Sequence, residues 1–341
     1  MKITKYFLAV AFFNLLIFNG ITSCKKKADA TPAVSSIGST CPSATTLASV
    51  ENIQIFPADH PLNTDISGLT KDSKSDAIIA NIGLTRGLKA DFGSGLYEGA
   101  KIGIPFVIVC ANQTKTPIIY RGNAYDANYS SESDAGPFPI PLNAPIEGSG
   151  AAQSGDSHVL AVDIDNKKLY EMYNTNVNGN SWEASGGSVF DLQTNTFRPA
   201  GWTSADAAGL PIFPCLVRYD EVASGTIDHA IRFTVSKSKT FKGYIHPARH
   251  LVSGTGGLSN SLPMGTRLRL RADFDVSTYP KNVQVILVAM KKYGLILADI
   301  GSDMYITGAP DERWNNDELR LLGNVKAGDF IVTQMGTVVT Q

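Results

Sequence analysis

Short apolar runs bounded by Gly, Pro and Asn recur through the middle of the chain and predict β-strands. Several of them alternate apolar and polar positions, which is the period of a strand with one buried face. The predicted strands are Ile104 to Cys110, Pro117 to Tyr120, His158 to Asp163, Lys168 to Tyr173, Gly187 to Leu192, Asp228 to Val235, Thr266 to Phe274, Leu295 to Asp299 and Met304 to Thr307.

Two pairs of these strands are predicted to form hairpins. Asp165 and Asn166 are turn-forming residues between the strands that end at Asp163 and begin at Lys168. The segment Gly301 to Asp303 separates the last two predicted strands in the same way.

Helical periodicity is confined to a few short segments. Pro280 suits a first helical turn, and apolar side chains then recur at helical spacing up to Tyr293, where Gly294 ends the helix. The other predicted helices are Ser75 to Ile82 before Gly83, the single turn Ser204 to Ala208, and Asp311 to Leu322 before Gly323.

Strands therefore dominate, and they do not alternate regularly with helices as a doubly wound fold requires. We expect a mainly β protein, an antiparallel β-sandwich or jelly roll with a few short helices. No second linker or repeat interrupts residues 51–341, which are predicted to form a single β-sandwich domain.

The N-terminus has the pattern of a secretory signal peptide. A basic start, an apolar run from Tyr6 to Phe18 and a small-residue exit occupy residues 1–23. The segment Ile21 to Cys24 resembles the lipobox of bacterial lipoproteins, although its Ile and Thr depart from the commonest pattern. Cleavage without lipid is the alternative. We expect lipidation of Cys24 and display at the outer membrane or cell surface, with no membrane contact besides the lipid.

A Ser/Thr/Ala-rich stretch, residues 24–50, follows and is predicted to be a flexible stalk. Cys41 lies in this stalk. Cys110 and Cys215 lie in apolar segments, where they would form either a disulfide in an oxidising compartment or two buried free thiols. No cysteine spacing typical of a metal site is present, and neither a metal nor a cofactor is expected.

Charge narrows the range of partners. The chain has 30 basic and 31 acidic side chains, a formal net charge of −1, so no overall positive field would draw it to nucleic acid. A charged ligand must therefore be met by a local group of side chains.

One such group is an arginine stripe on the predicted strand Thr266 to Phe274. Strand alternation places Arg267, Arg269 and Arg271 on one face and Leu268 and Leu270 on the other. The stripe is either a solvated face paired with acidic neighbours or a binding surface for an anionic or hydroxyl-rich polysaccharide. Arg232, on the polar face of Asp228 to Val235, would extend that surface, whereas His229 on the opposite face is expected at the core edge.

A polar loop supplies candidate acid and base groups. Tyr244, His246, Arg249 and His250 lie within seven residues and precede a glycine-rich segment. Histidine and arginine together suit abstraction of a proton next to a uronate carboxyl group, as in a polysaccharide lyase. Two histidines stacked in a turn are the alternative.

Carboxylates offer a different chemistry, because glycoside hydrolysis needs two of them. The candidates are Glu171 with Asp156 or Asp220, and Glu171 lies either on a cleft wall or paired within the sheet. Asp311 and Glu312 are expected at a helix N-terminus. Asp163, Asp165 and Asn166 are expected to be turn residues, and a calcium site there would be an additional feature that the sequence does not require. Motifs of serine hydrolases, zinc proteases and nucleotide binding are missing. The aromatic residues that would stack on sugars or simply pack are Tyr125, Tyr129, Phe138, Trp182, Trp202 and Trp314.

Four segments form a distinctive set: Glu132 to Pro141, Gly201 to Ile212, Leu216 to Glu221 and Gly308 to Trp314. With them the chain resembles an uncharacterised family of secreted bacterial proteins, over nearly all of Glu51 to Phe330. The resemblance implies an extracellular single domain and carries no activity or catalytic residues.

Together these patterns lead to two functional expectations. The first is a secreted, lipid-anchored protein that binds or cleaves extracellular polysaccharide or another glycan, with Trp202 and Trp314 beside the arginines as binding residues. The second is a non-catalytic cell-surface adhesion or binding lipoprotein. Whether the protein is an enzyme is left open by the sequence.

Overall fold

The computed structural model describes residues 55–122, 127–149 and 156–341. The predicted signal peptide and stalk, including Cys24 and Cys41, lie outside these residues, as does Tyr125. The boundary expected at residue 50 therefore stays a prediction.

The described residues form four α-helices and seventeen strands, many of them short. The helices are α1 (Ser75–Ile82), α2 (Tyr219–Ser224), α3 (Lys281–Lys292) and α4 (Asn316–Arg320). The strands are β1 (Lys89–Asp91), β2 (Leu96–Tyr97), β3 (Ala100–Lys101), β4 (Phe106–Val109), β5 (Ile118–Tyr120), β6 (Val159–Asp163), β7 (Lys168–Tyr173), β8 (Asn176–Asn178), β9 (Ser181–Ala184), β10 (Gly186–Asp191), β11 (Ile231–Val235), β12 (Thr240–Tyr244), β13 (Leu262–Met264), β14 (Arg267–Leu270), β15 (Leu295–Ile300), β16 (Tyr305–Thr307) and β17 (Phe330–Val332).

Two sheets organise the molecule. The larger has six strands in the order β1-β16-β11-β15-β14-β17, and the second has four in the order β10-β7-β6-β4. A three-stranded sheet, β5-β9-β8, and two strand pairs, β12-β13 and β2-β3, complete the strands. A mainly β protein with few short helices is thereby confirmed.

The antiparallel expectation is wrong in part, because five of the twelve described strand pairs are parallel. Among them are β11 with β15 and β4 with β6, which contribute to the two largest sheets. Parallel neighbours require a long connection, so local sequence carries no signal for their pairing.

The first predicted hairpin is confirmed. Strands β6 and β7 pair antiparallel from Val159↔Met172 to Asp163↔Lys168. The Asp163 carboxylate accepts hydrogen bonds from the Asp165 and Asn166 backbone amides at 3.2 and 2.9 Å, which gives it the expected role in the turn.

The second predicted hairpin is wrong. Strands β15 and β16 both form, but β11 lies between them, parallel to β15 and antiparallel to β16. All five residues of β11 are buried. A strand that is buried on both faces belongs in the middle of a sheet, and β11 comes from far earlier in the chain.

Two of the predicted helices are confirmed. The first, α1, has the predicted bounds, and α3 runs one residue short of the prediction at each end. Ser204 to Ala208 is instead a turn. The last helix is predicted from Asp311 but begins at Asn316, because the Asn315 side chain caps it there. The Asp311 carboxylate instead binds the Arg313 guanidinium.

The four-stranded sheet is buried on both faces. In β6, Leu160 and Val162 join the main hydrophobic core, whereas Val159 and Ala161 join a second, smaller core with Trp182. All five side chains are 0% exposed, so strand alternation here distributes apolar groups between two cores. The main core also includes the buried face of α3 and the six-stranded sheet.

The cysteines differ from both sequence alternatives. Cys110 is disulfide-bonded, whereas Cys215 is a free, buried thiol, so the two are not joined to each other. Burial raises the pKa of the Cys215 thiol to about 12, which keeps it protonated and unreactive.

Within the described residues, no helix combines the length and the apolar character needed to cross a bilayer.

Truncation of a core side chain tests this architecture. Leu297 in β15 is 0% exposed, and Leu297→Ala should lower the free energy of unfolding by about 2–5 kcal/mol because it leaves a cavity. Val288→Ala, on the 49% exposed position of α3, should change it by less than about 0.5 kcal/mol. Urea unfolding followed by circular dichroism measures both, and equal losses would contradict the assigned core.

Candidate functional site

The arginine stripe is covered by the chain itself. Arg267 is only 8% exposed, and its guanidinium donates to the backbone carbonyls of Pro61, at 3.0 Å, and of Tyr293. Arg269 donates to the carbonyls of Ser67 and Leu69. These hydrogen bonds tie both arginines to the backbone of the segment 61–69, which packs over the strand.

Arg271 behaves differently, because β14 has already ended at Leu270. Its exposed side chain forms two hydrogen bonds with Asp273, at 3.1 and 3.0 Å. The alternation is confirmed for Leu268 and Leu270, both 0% exposed. The three arginines do not, however, form an open binding face, and this expectation is corrected.

The histidine and tyrosine loop does not converge on one point. Tyr244 ends β12 and is buried at 4% exposure. His246 stacks edge-on against Phe197 at 4.7 Å and lines a small cavity of about 240 Å³. His250 lines a different cavity, of about 460 Å³, and its backbone amide donates to the Ala208 carbonyl.

Two of the proposed binding residues are occupied in the fold. Trp314 is 4% exposed, packs against Phe92, and donates its indole N–H to the Ala309 carbonyl at 3.0 Å. Arg249 donates to the Arg198 carbonyl at 2.8 Å. Phe138 and Trp182 are likewise core residues, at 1% and 0% exposure.

Trp202 is half-buried with the Arg198 guanidinium 5.5 Å from its ring. This position keeps part of the indole at the surface. Trp202 immediately precedes Thr203, which lines a cavity of about 460 Å³.

Glu171 is neither on a cleft wall nor paired within the sheet. It is 0% exposed, and its carboxyl group accepts hydrogen bonds from the backbone amides of Ile212 and Phe213 at 2.8–3.0 Å. Burial raises its pKa to about 7, an effect that those two amides partly oppose. Glu171 therefore anchors the loop before Cys215 and does not touch a ligand.

A cavity of about 460 Å³ brings together Asp156 and His250, two of the predicted residues. Its size falls within the range of small-molecule sites. Its walls come from the ends of β7 and β15 and from two loops, 203–207 and 250–253. The lining residues are Tyr129, Asp156, Tyr173, Thr203, Ser204, Ala205, Ala207, His250, Leu251, Val252, Ser253, Asp299 and Ile300.

Directly beneath this cavity lies a buried ion-pair network centred on Arg232. Its guanidinium binds Asp206 through two contacts, Nε to Oδ2 at 2.7 Å and Nη2 to Oδ1 at 3.0 Å. It also donates to Thr307 Oγ1 at 2.8 Å and to Asp299 Oδ2 at 3.2 Å. Arg232 is 5% exposed, so it is a structural cation and not the predicted glycan-binding residue.

Two carboxylates thus share one guanidinium, and they do so unequally. Asp206 is 0% exposed and takes the bidentate contact, whereas the Asp299 side chain is 21% exposed toward the cavity. Burial and the charge of Asp206 raise the pKa of Asp299 to about 7, against the opposing effect of Arg232. Asp299 therefore holds its proton to a higher pH than a free aspartic acid does, and its side chain reaches the cavity.

The buried side chain of His158 contacts the backbone of Ala205, one of the residues that line the cavity. Its Nδ1 lies 2.5 Å from Glu147 Oε2, and its Nε2 lies 2.9 Å from the Ala205 carbonyl oxygen. Both partners are acceptors, so both ring nitrogens must donate and the ring is an imidazolium. Against the cost of burial, the Glu147 carboxylate raises the pKa of His158 to about 9.

The loop that carries Asp206 is closed tightly on itself. The Ser204 hydroxyl lies 2.6 Å from the Leu210 carbonyl and accepts the Asp206 amide at 2.9 Å. Gly209 has φ +70°, and a Cβ there would meet the Trp202 carbonyl oxygen at 2.5 Å. Only glycine permits this closure, which delivers Asp206 to Arg232.

His250 is oriented by a hydrogen bond to the backbone. Its Nδ1 lies 2.8 Å from the Ala207 carbonyl oxygen and must donate to it. Glu132 Oε2 lies 3.8 Å from Nε2 and itself accepts the Thr203 amide at 2.9 Å. The side chain is 23% exposed at the cavity.

A larger cavity of about 650 Å³ contains Asp220, Glu221 and His229. Two of its acids are paired with cations: Asp220 with Arg313 at 2.8 Å, and Glu221 with Arg218 and His229. The positive charges of Arg218 and His229 lower the pKa of Glu221 despite its burial. His229 is 5% exposed and bonded to the Ala230 carbonyl, as expected for a core-edge histidine. Asp220 and Glu221 are therefore engaged by cations, whereas Asp156 in the smaller cavity has no ion-pair partner among the described residues, so the smaller cavity is the better candidate.

Among the described residues, no three His, Cys, Asp or Glu side chains are placed to hold a metal ion together.

Sequence reasoning missed Asp299, Asp206, Glu147 and the role of His158. Asp299 carried one usable signal, since it is a carboxylate that closes an otherwise apolar strand. Asp206 lay inside a segment already recognised as distinctive, but only its pairing with Arg232 gives it a function.

No known protein family matches the chain, and no curated protein or solved structure is significantly similar to it. The resemblance to secreted bacterial proteins therefore stays a prediction.

Glu171 generates a prediction about stability and pH. Its folded-state pKa, about 7, lies above the reference value of 4.5, so the folded state holds a proton that the unfolded chain releases first. Its contribution to stability is full below pH 4.5 and is lost as the pH rises through about 7, by up to about 1.4 kcal/mol for each pH unit.

Glu171→Gln cannot titrate, and it should flatten the fall in unfolding free energy between pH 5 and 8. Urea titrations at several pH values measure this slope. A variant that folds at pH 5 but keeps the wild-type slope would contradict the protonated, buried state of Glu171.

Proposed function

We propose that the protein binds a glycan in the 460 Å³ cavity and hydrolyses a glycosidic bond there. The observation that carries the proposal is a pair of carboxyl groups in different environments: Asp299, half-buried beside Asp206 and Arg232 with a raised pKa, and the exposed Asp156. Acid and base assignments in glycoside hydrolysis follow such a difference. The sandwich or jelly-roll arrangement of the supporting sheets is part of the same proposal.

In the proposed reaction, Asp299 donates its proton to the glycosidic oxygen as the bond between that oxygen and the anomeric carbon breaks. The Asp156 carboxylate accepts a proton from the water that attacks the anomeric carbon. Alternatively, it attacks that carbon itself, and a water molecule that gives a proton back to Asp299 then displaces Asp156 and releases the sugar. The charge left on Asp299 is then stabilised by Arg232, whose Nη2 is already 3.2 Å away.

The other lining groups suit a sugar. Tyr129 and Tyr173 present aromatic surface, and the exposed Ser253 presents a hydroxyl group. Trp202 is close to this wall and is retained as a candidate stacking residue. The lyase alternative loses its basis, since Tyr244 and His246 lie elsewhere and the described lining holds no arginine to neutralise a uronate.

The protein is proposed to act outside the cytoplasm, anchored by a lipid on Cys24. The disulfide of Cys110 supports an oxidising compartment, because such bonds are rare in reducing cytosol.

Asp299→Asn removes the proton donor and should lower kcat by about 10²- to 10⁴-fold. It keeps an oxygen for the Ile300 amide, which is 2.6 Å from Oδ1, so folding should be preserved. Since the protonated form of Asp299 is required, wild-type kcat should fall as pH rises through about 7. Reducing-end release from a panel of polysaccharides measures both effects.

Asp156→Asn should also abolish turnover, whereas Asp76→Asn, at an 86% exposed position in α1, should leave it unchanged. Glycan binding without turnover by the wild-type protein would favour the adhesion alternative. The absence of both binding and turnover would exclude a glycan function.

Lipidation is tested separately. Cys24→Ala removes the thiol that would carry the lipid, and the variant should move from the membrane fraction to the soluble fraction. Fractionation with immunoblotting measures the distribution, and a variant that still partitions with membranes would refute the anchor.

A further inference from the structure

The candidate cavity has a consistent electrostatic character. Among its described lining residues are two acids, Asp156 and Asp299, but neither lysine nor arginine. The only basic side chain there is His250, whose Nδ1–H is bonded to the Ala207 carbonyl. The described wall therefore offers a sugar two carboxyl groups and the exposed Ser253 hydroxyl, without a lysine or arginine.

Three cations near the cavity are paired with carboxylates of the protein. Arg232 is matched by Asp206, and His158 is matched by Glu147. Arg198 binds Asp134 and donates to the carbonyls of Glu132 and Thr203. Each of these three cations has a carboxylate partner, which offsets the positive charge that it would present to a ligand.

Negative charge is less fully matched. Within the described part of the chain, the exposed Asp156 carboxylate has no ion-pair or hydrogen-bond partner. Its charge still reaches the network below, since it raises the pKa values of both His158 and Asp299. An anionic sugar in the cavity would face this carboxylate without a compensating cation.

We infer that the sugar unit bound in this cavity is uncharged, and that uronate and sulfated glycans are excluded by like-charge repulsion. This inference rests on the proposed glycan function and names its substrate class. It also separates the cavity from the arginine stripe, which would have selected anionic polymers.

The test compares binding of polygalacturonate and of the same polymer after carboxyl reduction, beside alginate and neutral glucans, xylans and mannans. Calorimetry on the full chain should show neutral polymers binding at least about tenfold more tightly than anionic ones. Asp156→Asn should narrow that ratio, and added salt should narrow it as well.

A variant that gains affinity for anionic polymers tests the inference without relying on a loss of binding, which misfolding could also cause. Ser253 is exposed on the cavity wall, and Ser253→Lys should raise the affinity for anionic polymers at least about fivefold. Thr114→Lys is the matched control, because Thr114 is exposed and does not line the cavity.

Tighter binding of an anionic polymer by the wild-type protein would overturn the inference while leaving the glycan function intact. Binding of no polymer of either class would overturn both. A ratio that does not respond to Asp156→Asn or Ser253→Lys would show that the sugar binds away from this cavity, and would also refute the inference.

Discussion

The buried guanidinium of Arg232 is the constraint on which the candidate site depends. A cation at 5% exposure must be matched, and Asp206 matches it with two hydrogen bonds. The loop 203–209 is closed by Ser204 and Gly209 so that Asp206 reaches this position. One face of the cavity is thus fixed by the need to neutralise a charge within the six-stranded sheet.

The same pairing gives Asp299 its chemistry. Burial and the nearby charge of Asp206 raise the pKa of Asp299, because a second negative charge beside the paired guanidinium is costly, so Asp299 holds its proton more tightly than a free aspartic acid does. Its partial exposure directs that proton toward the cavity and not into the core. A structural ion pair and a poised acid are therefore consequences of one arrangement. The Glu147–His158 pair supports the opposite side of the loop through the Ala205 carbonyl.

Much of the local structure could be predicted from the chain, and much of the site could not. The hairpin of β6 and β7, the helices α1 and α3 and the buried face of β14 follow from patterns within a few residues of each other. The arginine stripe illustrates the limit. Alternation correctly placed Arg267 and Arg269 opposite the leucines, but only the fold shows the segment near Ser67 lying over them.

The sequence by itself determined a mainly β protein, its short helices and which strand positions are apolar, because these depend on local periodicity. Tertiary structure decided that β11 separates β15 from β16 and so brings Arg232 beside Asp299. It also decided that Asp156 and His250 line one cavity while Tyr244 and His246 do not. These outcomes depend on contacts between distant segments and on the energetic cost of unmatched buried charge, neither of which has a local pattern in the chain.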